Sequence, residues 1–477
     1  MRRSALALSA AVLATSVCAL VPAQATGPHL PYSISSLTAR PGPGVGEVTF
    51  NWAEDGTYTT GFLLETGLNA FSKTSSTLPA HGRNATYFST GRTARSLTLT
   101  SAQLAQAGAS TASGNHLYYR LAAVNKDASG VTATHYYPYL QAVLPRPEAP
   151  QRTGASMRVA SFNVRTARAT TDAQTWLQRA PDVAKEIVSH NPGLVAVQEL
   201  GPGRADGMTG TLQGHIRQTD SLLQSLDAVY GEKYDLVRTT PYVAPGVTSN
   251  TQGMRILYDN TRYSVVSFCP EKTGTSSYSD SCSFKLPILS TDTESARRRA
   301  VYAKFQDKAS GKLFWFVSTH LDARHSSTSS TEATYNALRK NQATVMTEKM
   351  DALNTDNLPI IVGGDFNSWQ NNRIGNGGHD VLIDDGYYDT SAALARTNFQ
   401  YSTMNDFKLT MPVASQGVGV RIDMLFVKGA RGSSSFTNVM KVTDSTRPSD
   451  HNMIVSDVAL FDADPYTAVS VRGTSRG

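Results

Sequence analysis

Beyond its first 25 residues the chain alternates short apolar runs with turn formers, and the character of those runs changes once. From 30 to 145 they are brief and strand-like. Val48-Thr49-Phe50-Asn51-Trp52 alternates apolar and polar, and Gly61-Phe62-Leu63-Leu64-Glu65, Leu97-Thr98-Leu99-Thr100 and Leu117-Tyr118-Tyr119-Arg120-Leu121-Ala122-Ala123-Val124-Asn125 follow, with Gly, Pro, Asn and Ser between them. Many short strands with turn signals predict an all-β sandwich. Leu144-Pro145-Arg146-Pro147-Glu148-Ala149-Pro150 is a stiff connector, and 146–155 reads as a Pro-rich linker. From 156 to 462, β-branched runs alternate with helical spacing. Helices are expected around 176–188, around 221–226 and over 332–353, where Tyr335, Leu338, Val345 and Met346 share an apolar stripe. This alternation predicts an α/β unit, two packed sheets flanked by helices. The polar residues 463–477 predict a frayed tail.

Composition narrows the class. With 477 residues, 40% of them hydrophobic and 17% charged, two or three domains with a large buried core are expected. No later apolar run is long enough for a helix to span a bilayer, which argues against an integral membrane protein. Three Cys are too few for a disulfide scaffold. The net charge of +6 is spread along the chain, so charge alone selects no polyanionic partner. Arg2 and Arg3, an apolar stretch from Ala5 to Val21 and then Ala23-Gln24-Ala25 read as a secretory signal peptide over 1–25, cleaved after Ala25. A secreted, extracellular product follows. Cys18 falls inside the signal. Cys269 and Cys282 are expected to close a Gly/Ser-rich loop as a disulfide.

The candidate chemistry lies at strand ends of the second unit. Met157-Arg158-Val159-Ala160-Ser161-Phe162 ends in Asn163, and Leu194-Val195-Ala196-Val197-Gln198 in Glu199. Leu313-Phe314-Trp315-Phe316-Val317-Ser318-Thr319 ends in His320, and Pro359-Ile360-Ile361-Val362-Gly363-Gly364 in Asp365-Phe366-Asn367. Arg421-Ile422-Asp423 and Ser449-Asp450-His451 each open a further run. A lone Asp or His at a strand end is usually a turn former. Six such ends carrying only Asn, Asp, Glu and His strain that reading, because a sheet gathers its strand ends at one cleft. Their oxygens are hard ligands suited to Mg²⁺, with Mn²⁺ or Ca²⁺ possible, and no Cys/His cluster has zinc spacing. Glu199 with Asn163 and Asp450 would suffice for magnesium. A His beside an Asp is a base of fixed tautomer. Metal, base and a polar cradle together fit hydrolysis at phosphorus.

Two resemblances extend this reading. The segment 30–145 resembles a fibronectin type III module, an immunoglobulin-like sandwich. Trp52 sits on an early strand and 119–125 on a penultimate one, and both aromatics read as packing residues. The second unit resembles the endonuclease/exonuclease/phosphatase superfamily through Ser161-Phe162-Asn163, Val197-Gln198-Glu199, Ser318-Thr319-His320-Leu321, Gly364-Asp365-Phe366-Asn367, Arg421-Ile422-Asp423 and Ser449-Asp450-His451, in the family's order. The resemblance implies the two-sheet α/β sandwich of that superfamily. It implies metal ligands Asn163, Glu199 and Asp450, and His451 as the base for water, oriented by Asp423. Asp365 and Asn367 would touch the scissile phosphate, His320 would donate to a phosphate oxygen, and Arg299 would be a phosphate contact or a surface Arg. Tyr258 reads as strand packing. His451 is expected to lose its proton, and activity to rise, through the neutral pH range.

Departures narrow the substrate. Abasic-site endonucleases carry Asn where this chain has His320. Pancreatic-type deoxyribonucleases pair that His with an upstream Glu, where this chain offers Gln252. Bacterial sphingomyelinases add an apolar hairpin with no clear equivalent here. The expectation is a secreted, metal-dependent phosphodiesterase acting on extracellular nucleic acid as a monomer. The alternatives are a phosphomonoesterase or sphingomyelinase-like phospholipase, and, in another class, a non-catalytic adhesion protein whose sandwich binds a surface or polymer.

Overall fold

The computed structural model describes residues 34–41, 47–54, 59–67, 86–106, 117–126, 128, 132–136, 141–143, 156–169, 172–237, 253–267, 282–369, 372, 374–393, 395–413, 419–429 and 433–460. The expected signal peptide (1–25), linker (146–155) and tail (463–477), together with Cys269 and Gln252, lie outside them. Cys282 is disulfide-bonded.

The amino-terminal runs form strands β1 (Ile34–Pro41), β2 (Val48–Glu54), β3 (Gly61–Gly67), β4 (Thr86–Gly91), β5 (Ser96–Leu99), β6 (Leu117–Lys126), β7 (Thr132–Tyr136) and β8 (Gln141–Val143), with a short helix α1 (Ser101–Gln106). β1, β2 and β5 make one antiparallel sheet; β4, β3, β6 and β7, with β8 on β6, make another. Period-two alternation sends Val48, Phe50 and Trp52 to one face, where they join Phe62, Leu64, Tyr119 and Leu121 in a shared core. Trp52 lies 5.3 Å from Phe62 and Phe50 4.9 Å from Tyr119, ring centre to ring centre, so both aromatics pack.

The second unit holds strands β9 (Ser156–Asn163), β10 (Leu194–Gln198), β11 (Tyr234–Leu236), β12 (Arg255–Asp259), β13 (Tyr263–Val265), β14 (Ser283–Lys285), β15 (Arg299–Asp307), β16 (Leu313–His320), β17 (Ile360–Asp365), β18 (Tyr388–Asp389), β19 (Ala395–Thr397), β20 (Asp423–Lys428), β21 (Ser433–Asn438) and β22 (Ile454–Ala459). They form two sheets, in the orders β11-β12-β10-β9-β22-β21-β19 and β13-β15-β16-β17-β20-β18, with β14 on β15. Alternation sets the layers. Met157, Val159, Leu194 and Ala196 face the second sheet and join Phe314, Phe316, Ile361 and Leu425. Their neighbours Ala160, Phe162, Val195 and Val197 face outward, under helices α2 (Trp176–His190) and α3 (Gln218–Tyr230). Strands covered on both faces read as continuous apolar runs, which is why β10 and β17 are buried throughout. The sheets approach closely at Gly363, where a Cβ would stand 2.6 Å from the Ala196 Cβ.

Helix α2 starts on a capping box between Thr175 and Gln178 and ends at Asn191 in the left-handed region. Helices α4 (Ser329–Leu353) and α5 (Gly377–Asp384) cover the second sheet. The apolar stripe expected on α4 is only part of its buried face. Leu338 and Met346 are buried, but Tyr335 and Val345 are half-buried, and Glu332, Arg339 and Gln342 are buried beside them. Those polar groups are paired: Arg339 Nη2 donates to Glu332 Oε1 at 2.9 Å, and Gln342 accepts from Asp322 N at 2.9 Å. Tyr258 packs edge-on against Phe305, as a strand residue.

Register brings the strand ends together. β9 and β10 run parallel with Asn163 opposite Gln198, so Glu199 follows at the same edge. β16 and β17 run parallel with His320 opposite Asp365, and β20 runs antiparallel to β17 with Asp423 opposite Asp365. β22 runs antiparallel to β9, so Asp450 and His451, just before it, meet Asn163. The two units touch at the segment around β19: Arg396 Nη2 donates to the Leu37 carbonyl at 3.2 Å, and Phe399 packs against both cores.

Candidate active site

Asp365 occupies the centre of the cleft floor. Its Oδ2 accepts from Asn163 Nδ2 at 3.1 Å, lies 3.3 Å from His320 Nε2 and 3.8 Å from His451 Nε2, and its Oδ1 accepts from the Asn367 amide at 3.0 Å. On the far side, His451 Nδ1 lies 2.9 Å from Asp423 Oδ2 and 3.2 Å from Asp423 Oδ1. Asp423 is fully buried, and its amide and that of Ile422 both donate to Thr403 Oγ1. The imidazole of His451 is thereby held between two carboxylates.

Burial alone would depress His451, but Asp423, Asp365 and Asp450 outweigh it and push it up to about 10. Burial, reinforced by Asp423 and opposed by His451, pushes Asp365 up to about 7. The sequence-based expectation weighed only Asp423 beside His451; Asp365 and Asp450 also surround the ring, and their distance is invisible along the chain. His320 is driven well below its ordinary value by burial, with Arg298 and His451 adding to it, so its ring is neutral. Its Nε2 lies 3.3 Å from Asp365 Oδ2, while its buried Nδ1 has no hydrogen-bond partner among the described residues.

A second donor set lies beside this one. Glu199 follows β10 with φ of +61°, a left-handed conformation uncommon for a residue with a side chain. Its Oε1 accepts from Asn163 Nδ2 at 3.1 Å and its Oε2 from the Thr166 amide at 3.0 Å. Gly253, at φ +67°, is packed so tightly against it that a Cβ would stand 2.6 Å from the Glu199 carbonyl carbon. Asp450 Oδ2 lies 3.2 Å from Arg165 Nη1, and burial, then Glu199, raises the Asp450 carboxyl despite His451 and Arg165. Asn163 Oδ1 accepts from the Arg165 amide at 3.1 Å and keeps a second lone pair. Two carboxylates that repel each other, with a neighbouring amide oxygen, fit a hard divalent cation. Asp365, Asp423 and His451 also offer three ligand atoms within 4.8 Å of one another, so this buried cluster could hold a metal ion as well.

The cleft above these groups has a volume of about 760 Å³. Glu199, His320, Asp365, Asn367, Asp450 and His451 line it, whereas Asn163 and Asp423 stand beneath as supports. Arg299 is not at its wall. It opens β15 and its Nη1 donates to Ser283 Oγ at 3.3 Å, and of the three consecutive Arg it is Arg298 that lines the cleft. One residue along a strand reverses the face, and a run of three Arg gave no phase. Burial lowers Arg298, while Asp365, Asp322 and Glu199 pull the other way. Sequence reading also missed Arg165, two residues past Asn163, and Ser449, whose Oγ donates to the Asn163 carbonyl at 2.6 Å. The Asn367 backbone, at φ +46°, turns the chain at the cleft floor.

This arrangement matches one family model, described as the endonuclease/exonuclease/phosphatase family, over residues 160–451. The chain belongs to the endonuclease/exonuclease/phosphatase family. That membership places it among phosphoester hydrolases. Among solved structures, it is similar to an endonuclease/exonuclease/phosphatase family protein of Bacteroides thetaiotaomicron, at 20% identity and TM-score 0.45, covering 65% of this chain and 99% of that one. It is also similar to a mannosyl-6-phosphatase of the same organism, at 20% identity and TM-score 0.44, covering 64% and 100%. D. rerio TDP2 in complex with a single-strand DNA product is 16% identical with TM-score 0.41, over 64% and 99%. No curated protein matches the chain.

Proposed function

We propose that this chain is a secreted, divalent-metal-dependent phosphodiesterase acting on nucleic acid. The observation carrying this reading is the juxtaposition of the Glu199–Asp450 pair with the His451–Asp423 pair on either side of Asp365, at one cleft floor. Glu199, Asp450 and the free lone pair of Asn163 would hold the ion, which supplies Lewis-acid polarisation of a phosphoryl oxygen. Asp365 Oδ2 and His451 Nε2 stand 3.8 Å apart at the cleft floor, too far to share a proton directly but close enough for one attacking water to reach both, so the pair can take and relay its proton. Asp423 fixes the His451 ring with Nε2 toward the cleft. Asn367 and Arg298 line the cleft where a phosphate would sit, and His320 Nε2 lies against Asp365. Secretion rests on the amino-terminal sequence, and the fibronectin type III reading of 30–145 on its strand pattern; that module would bind a surface or polymer.

The test is turnover on plasmid DNA, single-stranded oligonucleotide, sphingomyelin and phosphomonoesters, after dialysis against chelator and then with added Mg²⁺ or Mn²⁺. Nicking restored by either ion supports the reading. Full turnover in excess chelator, or turnover confined to monoesters or sphingomyelin, overturns it.

A further inference from the structure

One lip of the cleft is built from flat rings. Trp369 and His325 both line the cleft, with ring centres 4.8 Å apart and planes inclined at 60°. Trp369 lies two residues past Asn367, so it stands beside the catalytic floor. It is half-buried, whereas Trp52, Trp176 and Trp315 are 4%, 1% and 6% exposed. The pair is held from behind. His325 Nδ1 lies 3.3 Å from Glu332 Oε1, and buried Glu332 also accepts from Ser326 N at 2.8 Å, Arg339 Nη2 at 2.9 Å and Asn372 Nδ2 at 2.8 Å. Burial and Arg339 depress His325 below its ordinary value, which leaves a neutral imidazole against the indole.

Neutral rings do not grip a phosphate. The carboxylates on this lip are paired as well: Asp322 and Asp292 both hold Arg324, and Glu332 is fully engaged. The carboxylates nearest the rings are thus already engaged by protein groups. Met404 and Val420, 41% and 39% exposed, add aliphatic surface to the same cleft. Aromatic and aliphatic walls beside a phosphate site suit a planar heterocycle.

We propose that Trp369, backed by His325, is a stacking platform for the base of the nucleotide whose phosphate lies on the Asp365 floor. The substrate is then nucleic acid or a nucleotide with that base free of a duplex stack. This rests on the phosphoesterase reading above and names the group that its substrate carries.

The experiment compares adenosine 5′-monophosphate with ribose 5-phosphate, in Mg²⁺, by stopped-flow tryptophan emission before turnover and by competition against a reporter diester. The full chain and its Trp369→Ala and Trp369→Phe variants are used. The nucleotide should bind roughly 5- to 150-fold more tightly than the sugar phosphate, the range for one stacked base, and should quench emission. Trp369→Ala should abolish the difference and the quench while melting near the parent. Trp369→Phe should keep most of the difference without the quench. Equal affinity of the two probes, or no binding by either, overturns the platform. Turnover on the phosphoester panel is read separately. A base-dependent quench in a chain that hydrolyses nothing keeps the platform and removes the enzyme, whereas turnover with equal affinities does the reverse.

Discussion

His451 is held between Asp423 and Asp365, and each partner has a separable effect. His451→Ala should lower turnover by roughly 10²–10⁴-fold, the range for loss of one member of a proton-transfer pair, with the chain still folded. Asp423→Asn should cost much of the rate, since an amide can stabilise the wrong tautomer. Melting and single-turnover hydrolysis on the same preparations check both. A pair that merely tied two strands together would lose stability while its folded fraction kept its rate. Glu199→Gln should raise the Mg²⁺ needed for half-maximal activity by about tenfold or more, the scale at which changes around a metal act; a Mg²⁺ titration of activity reads it. These residues were legible in the sequence because each ends or opens an apolar run. Arg298 was not, because its side depends on strand phase, and Trp369 was not, because nothing along the chain marks a half-exposed ring as facing a cleft.

Among elements, β10 and β17 set the tolerance of the sandwich. Gly363→Ala should destabilise the chain by about 1–3 kcal/mol, the usual cost of overpacking, because its Cβ would meet Ala196 in the facing sheet. Denaturant melts measure this directly. A second element-scale effect lies at α5, β18 and β20. His379 Nε2 lies 3.1 Å from Asp389 Oδ2, and Arg421 is paired with the same carboxylate. Burial lowers His379, but Asp380 and Asp389 together raise it above 6.5. The stabilisation is therefore complete below pH ~6.5, the unfolded value, and is lost as pH rises through the raised folded value. The difference in melting temperature between the parent and His379→Gln should shrink over that interval; a difference independent of pH would reject the linkage. Helices α2, α3 and α4 were legible from apolar spacing, whereas the short α5 was not. Nor was the polar inner face of α4, because Glu332 and Arg339 pair with each other and, with Gln342, take further partners from the flanking segments at 287, 322–326 and 372.

At the scale of the whole molecule, the Pro-rich connector predicts few contacts between the units, yet Arg396 reaches Leu37 and Phe399 packs against both cores. A chain beginning at 152 should still turn over a small soluble diester, because the amino-terminal strands contribute no residue to the cleft. It should melt a few degrees lower, since Phe399 loses its cover; about 1 kcal/mol corresponds to a few degrees in a chain of this size. Lost turnover in a well-folded fragment would show that the first unit shapes the site. The ladder row His320–Asp365–Asp423 carries a different consequence, one for engineering and divergence. Hydrogen bonds between adjacent strands fix those three positions relative to one another, whereas the segments bearing His325, Trp369 and Val420 leave the row as loops. Exchanging those loops between relatives would transplant substrate preference onto an unchanged hydrolytic row, while one residue inserted within β16, β17 or β20 would scramble it.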